Sequence, residues 1–243
     1  MKNNYFYQKS LANIHAKPSA KSEVTSQILY GEKFKILSRK KGWLKILTNY
    51  DNYSGFIKLT KLINKFEPSH KICKSKTRIF KKIKNNFFAT KDYLYFASKI
   101  SLKTFGKTFV QFEKNKWIKK KDLKPLNYDE KNFTKILKLF LNSKYLWGGK
   151  TSDGIDCSGL VQAVLKICGI NVPRDSYQQR DYFSEFSIKV DEAQPGDLHF
   201  FGYNKKITHV AFSTGGRGVI HANGYVKEES LNSDHKNSNV LLQ

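Results

Sequence analysis

The sequence contains little cysteine, and this scarcity excludes two kinds of stabilisation. Its 243 residues include three cysteines, Cys73, Cys157 and Cys168. Three are too few for a disulfide scaffold, and their spacing fits no zinc-binding pattern. If residues 157–168 form a helix, the last two thiols lie ~16 Å apart along its axis, too far for a disulfide. We therefore expect Cys157 to be a free thiol, and we predict neither a metal nor a cofactor.

Long hydrophobic runs are also absent. No apolar run approaches the roughly 20 residues that a membrane-spanning helix needs. The segment Met1 to Ser10 is polar and aromatic and lacks the apolar stretch of a signal peptide. We therefore expect a cytoplasmic protein without membrane insertion.

Arginine is scarce despite a strong positive charge. The formal net charge is +24, yet only five of the 44 basic residues are arginine. Such a charge ordinarily indicates a nucleic-acid or anionic membrane partner. Here lysine is abundant together with asparagine, isoleucine, phenylalanine and tyrosine, as an AT-rich coding bias would produce without selection for a partner. We predict no specific nucleic-acid partner and leave open an attraction for a small acidic substrate.

The chain opens with short β-prone runs separated by turns. The runs are Ser26 to Tyr30, Phe34 to Leu37, Trp43 to Leu47 and Tyr53 to Leu59. Runs of this length and spacing are typical of a small antiparallel barrel. The pattern of Pro18, Tyr30-Gly31-Glu32, Gly42-Trp43 and Tyr53-Ser54-Gly55-Phe56-Ile57 resembles a bacterial SH3 domain, which we place at residues 1–66.

Residues 67–126 show a similar pattern of short β-prone runs separated by turns. They contain Trp117-Ile118 shortly before Asp122-Leu123. We interpret this stretch as a divergent second SH3-like domain. The alternative is an extended connector built on the first barrel.

A change of period after Pro125 marks the last domain, residues 127–243. Phe133, Ile136, Leu137 and Phe140 recur at helical spacing after an acidic pair that favours a helix amino terminus. The domain ends in a polar segment, Asn232 to Asn239, which we expect to be mobile as far as Val240 to Leu242.

Cys157 is predicted to lie in the first turn of a buried helix. It follows a glycine-containing loop and precedes an apolar stripe of helical period formed by Leu160, Val161, Val164 and Leu165. Unpaired N–H groups and the helix dipole at this position would lower the pKa of a cysteine toward neutrality. The same groups could receive an oxyanion. Taken alone, such a cysteine is more often a small core residue, and Cys168, further along the stripe, fits that interpretation.

Three histidines follow in strand-like runs and could supply a base. The runs are Leu198 to Tyr203, Ile207 to Ser213 and Gly218 to Ala222, and they read as antiparallel strands. If the turn at Gly215-Gly216 has an odd number of loop residues, His209 faces His221 and Ala211 faces Val219. Val210, Phe212 and Ile220 then share the opposite face, whereas an even loop would separate the two histidines. We interpret His199 as structural.

This arrangement predicts nucleophilic catalysis. His209 would take the thiol proton of Cys157, the thiolate would attack an amide carbonyl, and His221 would hold the ring of His209 in one tautomer. Water would then hydrolyse the acyl-enzyme.

Six motifs in this order resemble the NlpC/p60 family of papain-like cysteine peptidases. They are Tyr145-Leu146-Trp147-Gly148-Gly149, Gly154 to Gln162, Pro173-Arg174-Asp175-Ser176 with Gln178, Pro195-Gly196-Asp197, His209-Val210 and Ile220-His221-Ala222. The resemblance covers roughly residues 130–230 and implies a Cys-His-His triad in an α+β papain-like fold, with helices packed on an antiparallel sheet. It implies hydrolysis of peptidoglycan stem peptides between D-glutamate and the following diamino acid.

With an amino-terminal SH3 domain, the chain resembles the γ-D-glutamyl-L-diamino acid endopeptidases that recycle murein tripeptides and tetrapeptides and require a free amino-terminal L-alanine. The resemblance implies that Tyr145 helps to stabilise the oxyanion and that Asp156, Ser158, Arg174, Asp175 and Ser176 contribute to substrate binding. Tyr53 would close the amine pocket. Tyr53 could equally be a barrel core residue, Ser158 a helix cap, and Arg174 a partner for an acid. We expect a monomer.

The sequence departs from the family pattern at His199, where an apolar residue is usual. Two alternatives to the recycling enzyme remain: an exported wall hydrolase that acts on intact peptidoglycan, and a non-catalytic module that binds wall fragments.

Overall fold

The computed structural model describes residues 4–204 and 206–232. The predicted mobile tail falls almost wholly outside these residues. The chain divides into two compact units, residues 1–128 and 129–243. No helix within the described ranges is both long and apolar enough to cross a membrane.

The first part of the amino-terminal unit is a six-stranded antiparallel sheet. Its strands are β1 (Asn4–Phe6), β2 (Leu11–His15), β3 (Val24–Leu29), β4 (Lys33–Lys40), β5 (Trp43–Thr48) and β6 (Ser54–Lys58), in the order β1-β4-β5-β6-β2-β3. Alternate residues of β5 are buried, so one face of the sheet supplies the core. Ile14, Ile28, Phe34, Leu44 and Ile46 belong to this core. The strands predicted between residues 26 and 59 are therefore present.

A second β module follows in the same unit. Its strands are β7 (His70–Ile72), β8 (Lys76–Ile83), β9 (Asn86–Tyr95), β10 (Lys99–Ile100), β11 (Thr104–Phe105), β12 (Phe109–Glu113), β13 (Lys116–Lys119) and β14 (Leu123–Pro125). They form a three-stranded sheet, β10-β7-β14, and a five-stranded sheet, β11-β12-β13-β8-β9. The module has its own hydrophobic core, to which Tyr30 of the first part contributes.

The carboxy-terminal unit packs helices on an antiparallel sheet. Its elements are α1 (Phe133–Lys138), β15 (Lys150–Thr151), β16 (Gly154–Ile155), α2 (Cys157–Ile167), α3 (Ser176–Tyr182), β17 (Leu198–Tyr203), β18 (Lys206–Gly215), β19 (Gly218–Asn223) and β20 (Tyr225–Ser230). The sheet order is β17-β18-β19-β20, and α2 and α3 lie against β18. Helix α1 starts after Asn132, whose side chain accepts from the backbone N–H of Lys135. The α+β class and the β-rich amino-terminal domain are as predicted.

The hairpin between β18 and β19 decides where the histidines point. Gly215 pairs with Gly218 around a two-residue loop, the even length that would separate the two histidines. A bulge at Thr214 adds one residue to β18, so that Ser213 pairs with Val219 and odd-numbered residues again oppose odd-numbered ones. His209 and His221 therefore share a face. The predicted direct pairing is wrong by two residues, and the two rings meet diagonally across the strands.

Candidate active site

Cys157 is the first residue of α2 and is buried, with 6% of its surface exposed. Its position depends on close approach of the preceding loop to the helix. A Cβ atom added to Gly159 would lie 2.3 Å from the carbonyl oxygen of Gly149, so only glycine fits there. The thiol is free, as predicted. Cys168, in contrast, is the C-cap of α2 and only half-buried, so the expectation that it lies deep in the apolar stripe is wrong.

Asp156 holds the loop and the helix together. It is the N-cap of α2, and its two carboxylate oxygens accept from the backbone N–H groups of Gly159 (2.7 Å) and Gly148 (2.8 Å). Arg174 donates to the same two oxygens at 3.0 and 2.6 Å. This ion pair is almost completely buried. Because a buried carboxylate requires such donors, the Asp156–Arg174 pair fixes the position of Cys157.

The two predicted histidines are in hydrogen-bond contact. His209 Nε2 lies 2.7 Å from His221 Nδ1. On the far side, His221 Nε2 lies 2.5 Å from a carboxylate oxygen of Glu229 on β20. Lys227 pairs with the other oxygen of Glu229 at 2.6 Å. His221 is fully buried, so its ring orientation is fixed by these contacts.

Glu229 determines which nitrogens carry protons. An ionised carboxylate can only accept, so His221 Nε2 carries a proton and donates it to Glu229. In neutral His221 the Nδ1 atom is then the acceptor, and His209 Nε2–H donates to it. In neutral His209 the remaining nitrogen, Nδ1, is therefore unprotonated. One carboxylate thus sets the tautomers of two rings and leaves a basic nitrogen on His209.

The Cys157 thiol lies against the strand that carries His209. The backbone N–H of Val210, the next residue after His209, hydrogen-bonds the sulfur, as does the N–H of Ser158. The start of α2 therefore lies against β18, the strand that carries His209. Whether the imidazole of His209 reaches the thiol stays a prediction.

The pKa values of thiol and base are shifted in opposite directions. Burial, and next the Asp156 carboxylate, raise the pKa of Cys157 to about 11, although the two N–H groups act to lower it. Burial, and next His221, lower the pKa of His209 to about 4. The expectation that the helix start brings the cysteine pKa toward neutrality is therefore wrong. It counted the helix terminus but neither burial nor the carboxylate of the N-cap. Both groups are uncharged in the folded protein at neutral pH.

Tyr145 precedes the loop that leads to α2. Burial raises the pKa of its hydroxyl to about 12, and the charges of Cys157 and Asp156 raise this pKa further. Its backbone is fixed by a bond from its N–H to the carbonyl of Gly224 at 2.8 Å and by a bridge to Ile155. A phenol with this pKa remains a hydrogen-bond donor at neutral pH.

The other predicted substrate-binding residues are divided between the two units of the chain. The hydroxyl of Ser158 accepts from Arg174 at 2.9 Å and is buried beside Asp156. Asp175 is the N-cap of α3, and Ser176 is the buried first residue of that helix. Tyr53 belongs to the other unit, where it packs partly buried against the core of the first barrel.

His199 lies on β17 and lines a different cavity. This cavity has a volume of about 680 Å³, and its walls are mainly apolar, with Phe183, Phe186 and Phe201 among them. Neither Cys157 nor the His209–His221 pair lines it. The carbonyl of Gly216 accepts from the His199 ring, and Nε2 of that ring has no hydrogen-bond partner within the described ranges. The cavity that His199 lines is thus mainly apolar.

Sequence reasoning missed Glu229. Its strand, β20, was not predicted, because Tyr225 to Ser230 shows no strict alternation of apolar and polar residues. Val226 is the only aliphatic residue in this stretch, and Glu229 reads as an ordinary surface acid. A possible signal was its position eight residues after His221 across a tight turn at Gly224.

A helix-borne cysteine against an antiparallel sheet that carries two hydrogen-bonded histidines defines an α+β protein of the papain-like class. The NlpC/P60 family profile matches residues 142–242, and the bacterial SH3 domain profile matches residues 10–63. The chain therefore contains an NlpC/P60 domain and, before it, a bacterial SH3 domain. Proteins of the NlpC/P60 family are cysteine peptidases.

Curated relatives match the chain to different extents. A γ-D-glutamyl-L-lysine dipeptidyl-peptidase of Bacillus subtilis is 27% identical over 227 residues, which cover 82% of this chain and 72% of the relative. A dipeptidyl-peptidase of the same name from Bacillus cereus is 38% identical over 90 residues, 35% of this chain and 26% of the relative. A probable endopeptidase p60 of Listeria seeligeri is 42% identical over 82 residues, 34% of this chain and 15% of the relative.

The fold is shared with a solved structure. The crystal structure of an NlpC/P60 family protein from Bacillus cereus superposes with a TM-score of 0.78 at 20% sequence identity. The match covers 96% of this chain and 95% of that protein. The two chains thus have the same fold along nearly their whole lengths.

Proposed function

We propose that this protein is a cysteine endopeptidase that hydrolyses the bond between γ-D-glutamate and a diamino acid in peptidoglycan stem peptides with a free amino-terminal L-alanine. The observation that carries the proposal is the contact series from His209 through His221 to Glu229, on a sheet whose strand β18 contacts the Cys157 sulfur through the N–H of Val210. The activity for which the Bacillus subtilis relative is named supports the choice of bond, since the match covers 82% of this chain.

The reaction starts from an uncharged thiol and an uncharged imidazole. His209 Nδ1 accepts the thiol proton as the sulfur of Cys157 attacks the carbonyl carbon of γ-D-glutamate. The imidazolium so formed is stabilised through His221 by the Glu229 carboxylate. The negative charge on the carbonyl oxygen is stabilised by N–H groups at the start of α2 and by the hydroxyl of Tyr145.

Collapse of this intermediate releases the diamino acid portion, whose amine takes the proton from His209. The acyl group then remains on Cys157. A water molecule gives its proton to His209 and attacks the thioester, which releases the alanyl-glutamate product and regenerates the thiol. Because both groups begin uncharged, the charged pair forms only as substrate binds and reacts.

Murein peptide recycling in the cytoplasm is the setting that we propose for this activity. Asp156, Ser158 and Ser176 are proposed to surround the alanine and glutamate portions. In this scheme Asp156 acts mainly through the loop that it holds, because both of its oxygens already accept from the protein.

The test uses synthetic L-Ala-γ-D-Glu-L-Lys, its diaminopimelate counterpart and the N-acetylated form of each, with products identified by mass. The free peptides should be cleaved at the γ-glutamyl bond and the acetylated ones should not. Cys157→Ala should lose turnover by several orders of magnitude, whereas Cys168→Ala, the matched control, should retain it. Full activity of Cys157→Ala would refute the proposal.

Two other outcomes identify the alternatives. Release of soluble fragments from purified sacculi, together with cleavage of acetylated peptides, would indicate a wall hydrolase. Binding of the peptides without cleavage by the unaltered chain would indicate a non-catalytic module.

A further inference from the structure

The net positive charge of the chain lies almost entirely in its amino-terminal unit. Residues 1–128 contain 30 lysines and arginines against 7 aspartates and glutamates, a net charge of +23. Residues 129–243 contain 14 against 13, a net charge of +1. Lysine alone occurs 28 times in the first unit and 11 times in the second. A coding bias acts on the whole gene, so it does not account for this segregation, and the explanation given from composition alone is insufficient.

Part of this charge converges on one recess of the second β module. Lys107, Lys119, Lys120 and Lys121 line it together with Thr108, and its volume is about 450 Å³. The nearest acid in sequence, Asp122, is buried and accepts from the hydroxyl of Thr77 at 2.5 Å. Four positively charged side chains that line one recess repel each other, so a bound anion would be stabilised there. We call the recess that these four lysines line the lysine recess.

The recess continues into a face of β8, β9 and β13 that carries aromatic and basic side chains in alternation. Lys119 of the recess lies 5.7 Å from the ring of Phe80, and Lys82 lies 5.8 Å from Phe87 and 5.5 Å from Trp117. Cation–π contacts of this kind hold the cationic groups in fixed positions. They also cover the rings with the chain's own cations, so these rings do not offer open faces for stacked bases.

We propose that the amino-terminal unit binds a flexible phosphodiester polymer that carries no aromatic bases, such as a polyol phosphate, through the lysine recess. Association of lysines with successive phosphates releases condensed counterions, which provides the driving force. A flexible chain can also follow the basic strands of the first barrel, among them β4 with Lys33, Lys35 and Arg39. The inference concerns this unit alone and does not depend on the proposed peptidase activity.

The test measures binding of a synthetic, fluorescently labelled poly(glycerol phosphate) to the full chain by anisotropy at several salt concentrations. The dissociation constant should rise steeply with salt. A triple variant, Lys107→Gln/Lys120→Gln/Lys121→Gln, should bind about 10-fold or more weakly. Its log–log salt slope should fall by roughly 2, since each lost phosphate contact removes about 0.7. Lys119 is left unchanged because of its contact with Phe80.

A matched control removes the same charge from the other unit. Lys131→Gln/Lys138→Gln/Lys206→Gln replaces three exposed lysines there and should change the dissociation constant less than twofold. Equal weakening by both triple variants would overturn the lysine recess in favour of overall charge. A single-stranded oligonucleotide of equal phosphate number that binds 10-fold more tightly would identify nucleic acid instead, and binding to anionic vesicles but not to the polymer would identify a membrane surface.

Peptide hydrolysis is measured on the same preparations. Both triple variants should cleave the small free peptide like the unaltered chain. Loss of polymer binding with hydrolysis retained therefore separates this proposal from the proposed peptidase function.

Discussion

Glu229 lies 2.5 Å from His221 Nε2, and through this contact it determines the protonation of a second ring, that of His209. Its carboxylate contacts His221, the ring behind the proposed base. It acts by orienting the ring behind the base, so it is a positioning residue.

Replacement of Glu229 by glutamine should lower kcat roughly 10- to 1,000-fold with little change in KM. An amide can donate to His221 Nε2, which moves the His221 proton to Nδ1 and leaves His209 Nδ1 protonated and unable to act as a base. Steady-state kinetics on the free tripeptide measures the split between kcat and KM. Glu228→Gln, at the exposed neighbouring position, is the control and should be unaffected. An unchanged kcat in Glu229→Gln would show that the tautomers are set by other groups.

Removal of the hydroxyl of Tyr145 should lower kcat about 10²- to 10³-fold, because one donor to the developing oxyanion is lost. The fold should persist, since the backbone bonds of this residue do not involve the phenol. The comparison is with Tyr182→Phe, which removes a hydroxyl from a side chain that is 54% exposed. Equal activity of Tyr145→Phe and the unaltered chain would exclude the phenol from the oxyanion site.

Arg174→Met should reduce the free energy of unfolding by about 3–5 kcal/mol, because the Asp156 carboxylate is left buried without its charged partner. Urea denaturation of the single variant measures this loss. The double variant Asp156→Asn/Arg174→Met should be less destabilised than the single one, since no charge is then left unpaired. If the double variant loses the sum of the two single effects, the ion pair is not the source of the stability.

Acidification should destabilise the protein between pH 6.5 and pH 4. Burial and His221 lower the pKa of His209 from its ordinary 6.5 to about 4, so the unfolded chain binds a proton in this window that the folded chain does not. The contribution of His209 to the free energy of unfolding is fully present above pH 6.5. It decreases as the pH falls to 4, by at most about 3 kcal/mol. The urea midpoint, measured at pH 7.5, 5.5 and 4.5, should therefore fall less with decreasing pH in His209→Gln than in the unaltered chain. Parallel curves would contradict the lowered pKa.

The order of chemistry-bearing residues was readable from the sequence. Helical period after Cys157, strand-like runs around His209 and His221, and the glycine-containing loop before the cysteine were enough to predict the start of α2 and the strands. They left open whether the two histidines share a face. Local periodicity carries this information, because helices and strands each impose their own spacing on buried residues.

Only the tertiary structure decided the register, the tautomers and the charge state of the site. The bulge at Thr214 restores the shared face despite an even loop, and no local pattern in the sequence specifies a bulge. Glu229 reaches His221 from a strand that periodicity did not predict, and the pKa of Cys157 reflects burial and Asp156 more than the helix end. These properties depend on which groups from distant segments of the chain become neighbours in the buried interior. A single sequence does not specify the distances between such groups.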